Sequence, residues 1–144
     1  GEVDSKTDVP SLCIKIKADA EIENDGFLAA LCGCDWTVPI SDGSGQMINT
    51  NACGPEIGAE INLPEVSISL PAEATLQFDT QPDTVTVKCL KKGSSVEDIC
   101  NIDRSDGNYT FSLKTGEYVY RITAEWQNGN RAEYGFAGRG LPTD

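Results

Sequence analysis

The chain has 144 residues with 11 basic and 23 acidic side chains, no histidine, and a net charge of −12. Such a field repels phosphate backbones and anionic headgroups, which argues against nucleic acid as a partner, and the length suits one domain with its own core. Without histidine the usual serine and cysteine triads are ruled out, and no cofactor is called for.

In chain order, "GEVDSKTDVP", residues 1–10, reads as a polar tether that follows a signal or anchor. A single sandwich domain is expected over 11–139, with 140–144 as a tail. In "SLCIKIK" the alternation puts Leu12, Ile14 and Ile16 on one face and Cys13, Lys15 and Lys17 on the other. "FLAALCGCDWTV" is read as one strand carrying Leu28, Ala30, Cys32, Cys34, Trp36 and Val38 on a shared face, with a short helix as the alternative at its start. "SDGSG" is a turn. "EVSISL" aligns Val66, Ile68 and Leu70 between two prolines, as a short strand.

"ATLQF" aligns Ala74, Leu76 and Phe78; "TVTVKCL" aligns Val85, Val87 and Cys89. The polar stretch from Lys91 to Asp106 is predicted as a loop with one helical turn at "SSVEDIC", capped by Ser94 or Ser95. "YTFSL" returns to strand. "GEYVYRITAEWQNGN" places Tyr118, Tyr120, Ile122, Ala124 and Trp126 inward and Glu117, Val119, Arg121, Thr123 and Glu125 outward, then turns at Asn128-Gly129 into an antiparallel return. Burying that row removes rings from water at about 1.5 to 3 kcal/mol each, so core is favoured over a ligand platform. Short alternating strands between turns every ten residues or so point to an all-β antiparallel sandwich.

"KTGEYVY" resembles the approach to strand F of immunoglobulin-like domains, where a tyrosine follows a glycine by two positions and its hydroxyl ties the corner to the backbone. By that resemblance Tyr118 is the corner tyrosine, and Tyr120 stands where an antibody domain carries its second core cysteine. The stretch "GEYVYRITAEWQNGNRAEYGF", with "CDWTV" and "FDTQPDTVTV", is also similar to uncharacterised secreted proteins and lipoproteins of Gram-positive bacteria, over Leu31 to Phe136 with gaps. The resemblance implies an immunoglobulin-like β-sandwich outside the cell, and it brings no catalytic residues.

The six cysteines, Cys13, Cys32, Cys34, Cys53, Cys89 and Cys100, suit a disulfide framework made outside the cytoplasm, since no C-x-x-C pair supports zinc. Cys89 and Cys100 enclose ten residues and form the best pair. Cys53 is expected to meet Cys32 or Cys34, leaving the other for Cys13, with Trp36 packed on the bridge. About 15 complete pairings exist, and sequence does not choose among them. Among ions calcium fits best, on Asp103, Asp106 and Asn108 with Asn101, and on Glu23, Asn24 and Asp25; neither stretch matches EF-hand spacing, and an Asx turn is the simpler reading of "NIDRSDGNY". Asn108-Tyr109-Thr110 is a glycosylation sequon in form only. The longest apolar run, Phe27 to Cys32, is far short of the ~18 residues of a membrane span.

The function expected is therefore a non-catalytic extracellular binding or accessory module, secreted or held by a lipid anchor upstream, with a protein or carbohydrate ligand at the cell surface. The rivals are a secreted carboxylate-dependent, glycosidase-like hydrolase and a ligand-sensing ectodomain. Loops, "QMINTNACGPEIGAE" and "KKGSSVEDICNIDRSDGN" first, are the expected contact sites.

Overall fold

β-branched and aromatic side chains at alternate positions can all reach one face of a pleated strand, so the two-residue period of this sequence becomes sheet. The computed structural model describes residues 10–18, 26–35, 37–39, 47–49, 63–105, 107–126 and 129–142, and among these the regular structure is strand, without helix. The strands are β1 (Leu12–Ala18), β2 (Phe27–Leu28), β3 (Ala30–Asp35), β4 (Thr37–Pro39), β5 (Met47–Asn49), β6 (Glu65–Ser69), β7 (Ala72–Phe78), β8 (Thr84–Lys91), β9 (Glu97–Cys100), β10 (Asp103–Ser105), β11 (Asn108–Ser112), β12 (Gly116–Glu125) and β13 (Arg131–Leu141).

One sheet runs β10-β11-β7-β1-β2, and the second runs β3-β13-β12-β8-β9. The free edge of β13 is shared: β3 pairs antiparallel with its first half, Arg131 to Gly135, and β6 pairs parallel with Ala137 to Leu141. β4 and β5 form a separate two-stranded ribbon. The strand β13 and its pairing extend to Leu141, past the expected domain end at 139.

The two large sheets face each other across one core. Leu12, Ile14, Ile16, Ala74, Leu76, Tyr109 and Phe111 come from one; Val87, Cys89, Tyr120, Ile122, Ala124, Tyr134 and Phe136 come from the other. Aromatic rings bridge the layers at centroid separations of 5.6 Å for Phe27 and Phe136, 5.8 Å for Phe78 and Tyr134, and 5.4 Å for Phe111 and Tyr120. Offset and edge-on contacts of this kind add about 0.5 to 1.5 kcal/mol per pair beyond the area they bury.

Four local expectations need revision. "FLAALCGCDWTV" is divided among three sheets: β2 ends the first, β3 joins the second, and β4 belongs to the ribbon. Phe27 turns inward against Phe136, which leaves Leu28 on the outside, 63% exposed. A register shift between Glu133 and Tyr134 then skips Cys32, so the shared face proposed for Leu28, Ala30 and Cys32 is broken by a bulge. Trp36 lies outside the described residues, as do Cys53, Glu23, Asn24 and Asp25 and the side chain of Cys34.

"SSVEDIC" is not a helical turn. Glu97–Cys100 is strand β9, paired with Val87 to Leu90, and it carries Cys100 into the core. Ser94 caps a turn instead: its N–H donates to the Lys91 carbonyl at 2.9 Å, and its Oγ accepts from the Val96 N–H at 3.1 Å. The hairpin after β12 closes through Gly129 N–H to the Trp126 carbonyl and Trp126 N–H to the Asn130 carbonyl, both 2.9 Å. Three residues therefore intervene, not two, and Gly129 takes φ +91° as the left-handed residue that follows such a turn. Asn128 itself lies outside the described residues.

Candidate functional site

The inward row of β12 is core. Tyr120, Ile122 and Ala124 are buried, and Tyr118 and Trp126 are half-buried against the core at the two ends. Trp126 Nε1–H donates to the Thr80 carbonyl at 3.2 Å. The tyrosine that ties the corner is Tyr120, whose hydroxyl accepts the Lys114 backbone N–H at 2.9 Å. Tyr118, the residue that the resemblance pointed to, lies beneath the Lys114 ammonium, 6.0 Å from its ring centroid. Tyr120 stands two residues beyond the position that the glycine spacing singled out on β12.

Among the described residues no two sulfurs are at bonding distance; Cys13, Cys32, Cys89 and Cys100 are free thiols. Cys89 and Cys100 nevertheless meet. They are diagonal neighbours on the inward face of β8 and β9, both buried. Burial first, then the neighbouring Cys89 thiol, pushes the Cys100 thiol up to about 12. Cys13 sits on β1 in the other sheet, and Cys32 on β3 packs beside Gly135. Burial pushes the Cys32 thiol up, Arg121 opposes this and Glu133 adds to it, so this sulfur is held as the thiol at neutral pH.

The residues proposed for calcium form a hairpin. Asp103 pairs with Thr110 and Ser105 with Asn108, and Gly107 before β11 takes φ +82°. Gln81 Nε2–H donates to the Gly107 carbonyl at 2.6 Å, so that oxygen is already satisfied. Asp106 lies outside the described residues, and among those described no three acids or cysteines converge as a metal site would require.

A concave site appears where sequence did not direct attention, on the outer face of the second sheet. Its groove holds about 390 Å³. One cross-strand row, Leu90, Val119, Ala137 and Glu65, crosses four strands and supplies an apolar floor ending in an acid. The next row, Glu117, Arg139 and Ser67, supplies the polar rim. Lys92 closes the rim: its ammonium lies 3.1 Å from Glu117 Oε1, and its backbone N–H donates to the Glu117 carbonyl at 2.9 Å. Lys92 and Arg139 balance Glu65 and Glu117 in the groove, on a chain of −12, while Lys91 shares the register position of Tyr118 and belongs to the opposite face. Among the described residues Arg139 has no ion pair.

The signal for this groove was present in the outward set of β12. Val119 stands between charged Glu117 and Arg121 on a face otherwise left to water, and Leu90 and Ala137 are its neighbours in register. Toward β9 the face becomes a charge network, in which Arg121 donates to Glu97 Oε2 at 2.9 Å and Glu133 Oε1 at 3.2 Å. Partial burial works against the Arg121 charge, but these two carboxylates outweigh it and hold its pKa above the ordinary value. No protein-family model, curated protein or solved structure matches the chain.

Proposed function

We propose that the chain is a non-catalytic immunoglobulin-like module of a secreted or surface-anchored bacterial protein, and that its outer-sheet groove binds an extended ligand carrying a carboxylate. The fold assignment is supported by strand order. In the lettering of immunoglobulin domains, β10-β11-β7-β1 corresponds to D-E-B-A, and β9-β8-β12-β13 to C′-C-F-G, with β6 running parallel beside G. The Tyr120 hydroxyl at the β11–β12 corner adds to that support.

The observation that carries the binding assignment is a guanidinium with no ion pair among the described residues beside an apolar floor. On an acidic molecule, Arg139 flanks that floor in a charge-balanced groove, while Glu117 is engaged by Lys92. A carboxylated sugar or acidic peptide lying along Leu90, Val119 and Ala137 would gain apolar contact below and a charge-assisted hydrogen bond from the guanidinium. The even cysteine count supports an oxidising, extracellular setting.

Calorimetric titration with acidic and neutral oligosaccharides and with acidic peptides tests the proposal. An acidic ligand is expected to bind, to weaken with added salt, and to be lost on Arg139→Glu with the melting profile unchanged. Hydrolysis of any oligosaccharide in the panel, or acidic-ligand binding indifferent to Arg139→Glu, would overturn it.

A further inference from the structure

We propose that Cys89 and Cys100 are a redox pair that closes, under oxidising conditions, into a disulfide latching the edge strand β9 onto the sheet. The proposal rests on the extracellular reading only for its setting; its geometry stands apart from the groove and its ligand.

Register places Cys89 opposite Asp98 and Cys100 opposite Val87, so the two cysteines are diagonal neighbours on one face. They are 1% and 8% exposed and face the same core. Diagonal neighbours in a sheet average roughly 7–8 Å between Cα atoms, against about 4.4–6.8 Å for disulfides. Because a twisted ladder sets its two diagonals at different lengths, closing this pair takes a small shift of one strand against the other. That shift falls on β9. Among the described strands it pairs with β8 alone, and the segment leading into it, residues 91–96, is exposed throughout and turns at Gly93, φ +87°.

Selectivity follows from position. Cys13 belongs to the opposite sheet, and Cys32 lies on β3, at the far edge from β9, so neither competes for this pair. Closure proceeds by exchange with a disulfide oxidant such as glutathione disulfide or a dithiol oxidase. One cysteine thiolate attacks an oxidant sulfur and expels the other as thiolate; the second cysteine thiolate then displaces the oxidant from the mixed disulfide. Two electrons pass to the oxidant, and the two cysteine protons go to its released thiolates.

The test uses the full chain, reduced, denatured, and refolded in a glutathione and glutathione disulfide mixture. Remaining thiols are alkylated under denaturing conditions and the chain is digested. The expected product is a peptide pair joined through Cys89 and Cys100, lighter by two hydrogens, and amide exchange in β9 slowed at least about tenfold relative to the reduced folded chain. Alkylation of both residues in the folded product, or linkage of either to another cysteine, would overturn the pairing. Unchanged exchange in β9 would overturn the latch. A chain that links in this assay but is not exported by its host leaves the pair standing and counts only against the extracellular reading.

Discussion

Replacing Tyr120 by Phe deletes one oxygen from the centre of the sandwich and leaves the ring stack, 5.0 Å to Phe136 and 5.4 Å to Phe111, in place. What is lost is the acceptor for the Lys114 N–H, 2.9 Å away. An unsatisfied buried donor costs about 1–3 kcal/mol; this one is part-buried and some water can reach it, so about 1.5 kcal/mol is expected, or roughly 5 °C in Tm for a chain of this size. Urea and thermal unfolding at neutral pH read the change, with the urea m-value constant. Tyr118→Phe is the control: its hydroxyl makes no hydrogen bond to the described residues, and its cost should stay within about 0.5 kcal/mol. Equal costs for the two substitutions, or a larger one at Tyr118, would refute the corner assignment. The alkaline limb gives a second reading. Burial, opposed by the Lys114 N–H, pushes the Tyr120 pKa up to about 12. The folded state thus keeps a proton that the unfolded chain releases near pH ~10, so stability falls as pH rises from there toward 12, and Tyr120→Phe removes that share of the fall.

Gly140→Ala should be among the most damaging single substitutions, at about 3 kcal/mol or more, since the added methyl would run into the Lys114 carbonyl oxygen and Leu70 Cδ1; unfolded or aggregated product on expression, or a large fall in urea midpoint, is the readout. Tyr134→Phe should cost about 1–2 kcal/mol and loosen the entry to β1, because the buried hydroxyl donates to the Pro10 carbonyl at 2.7 Å; limited proteolysis before Leu12 should accelerate. Arg121→Ala should cost less than about 1 kcal/mol, and that cost should shrink with salt, because its bonds to Glu97 and Glu133 lie on an exposed face.

The core was legible wherever one strand served one sheet. Leu12, Ile14 and Ile16, or Ala74 and Leu76, alternate with polar neighbours, and burial follows the alternation. Legibility failed where the chain changed layers. Nothing in the alternation of "FLAALCGCDWTV" marks Ala29 as the crossing between sheets, because periodicity records which face is apolar and not which sheet the strand joins. "SSVEDIC" failed for a related reason. Its local capping residues match a helix start, but burying Cys100 beside Cys89 decides for strand, and that contact spans ten intervening residues. The groove was hidden because its floor is drawn from β8, β12 and β13, three segments that become neighbours only through register. A lone outward valine is ordinary in a strand; a row of apolar side chains across three strands is not.

Edge protection explains why so much chain is inserted between β1 and β7. A strand as long as β13, eleven residues, would present an unpaired ladder along its outer side and invite pairing with other chains. Covering it takes two segments because β3 reaches only Gly135, the chain before Ala30 belonging to the first sheet as β2. β6 takes over in parallel orientation, and its flanks complete the ladder: Ala137 N–H donates to the Pro64 carbonyl, and Leu70 N–H to the Leu141 carbonyl, both at 2.8 Å. Among the described strands, the edges at the opposite side of the second sheet and at the start of the first are short and charged, four residues at β9 with Glu97 and Asp98 and three at β10 with Asp103 and Arg104. Both stretches that sequence singled out as contact loops therefore carry sheet-building segments, β5 in one and β9 and β10 in the other, and β6, by pairing with β13, forms one wall of the outer-sheet groove.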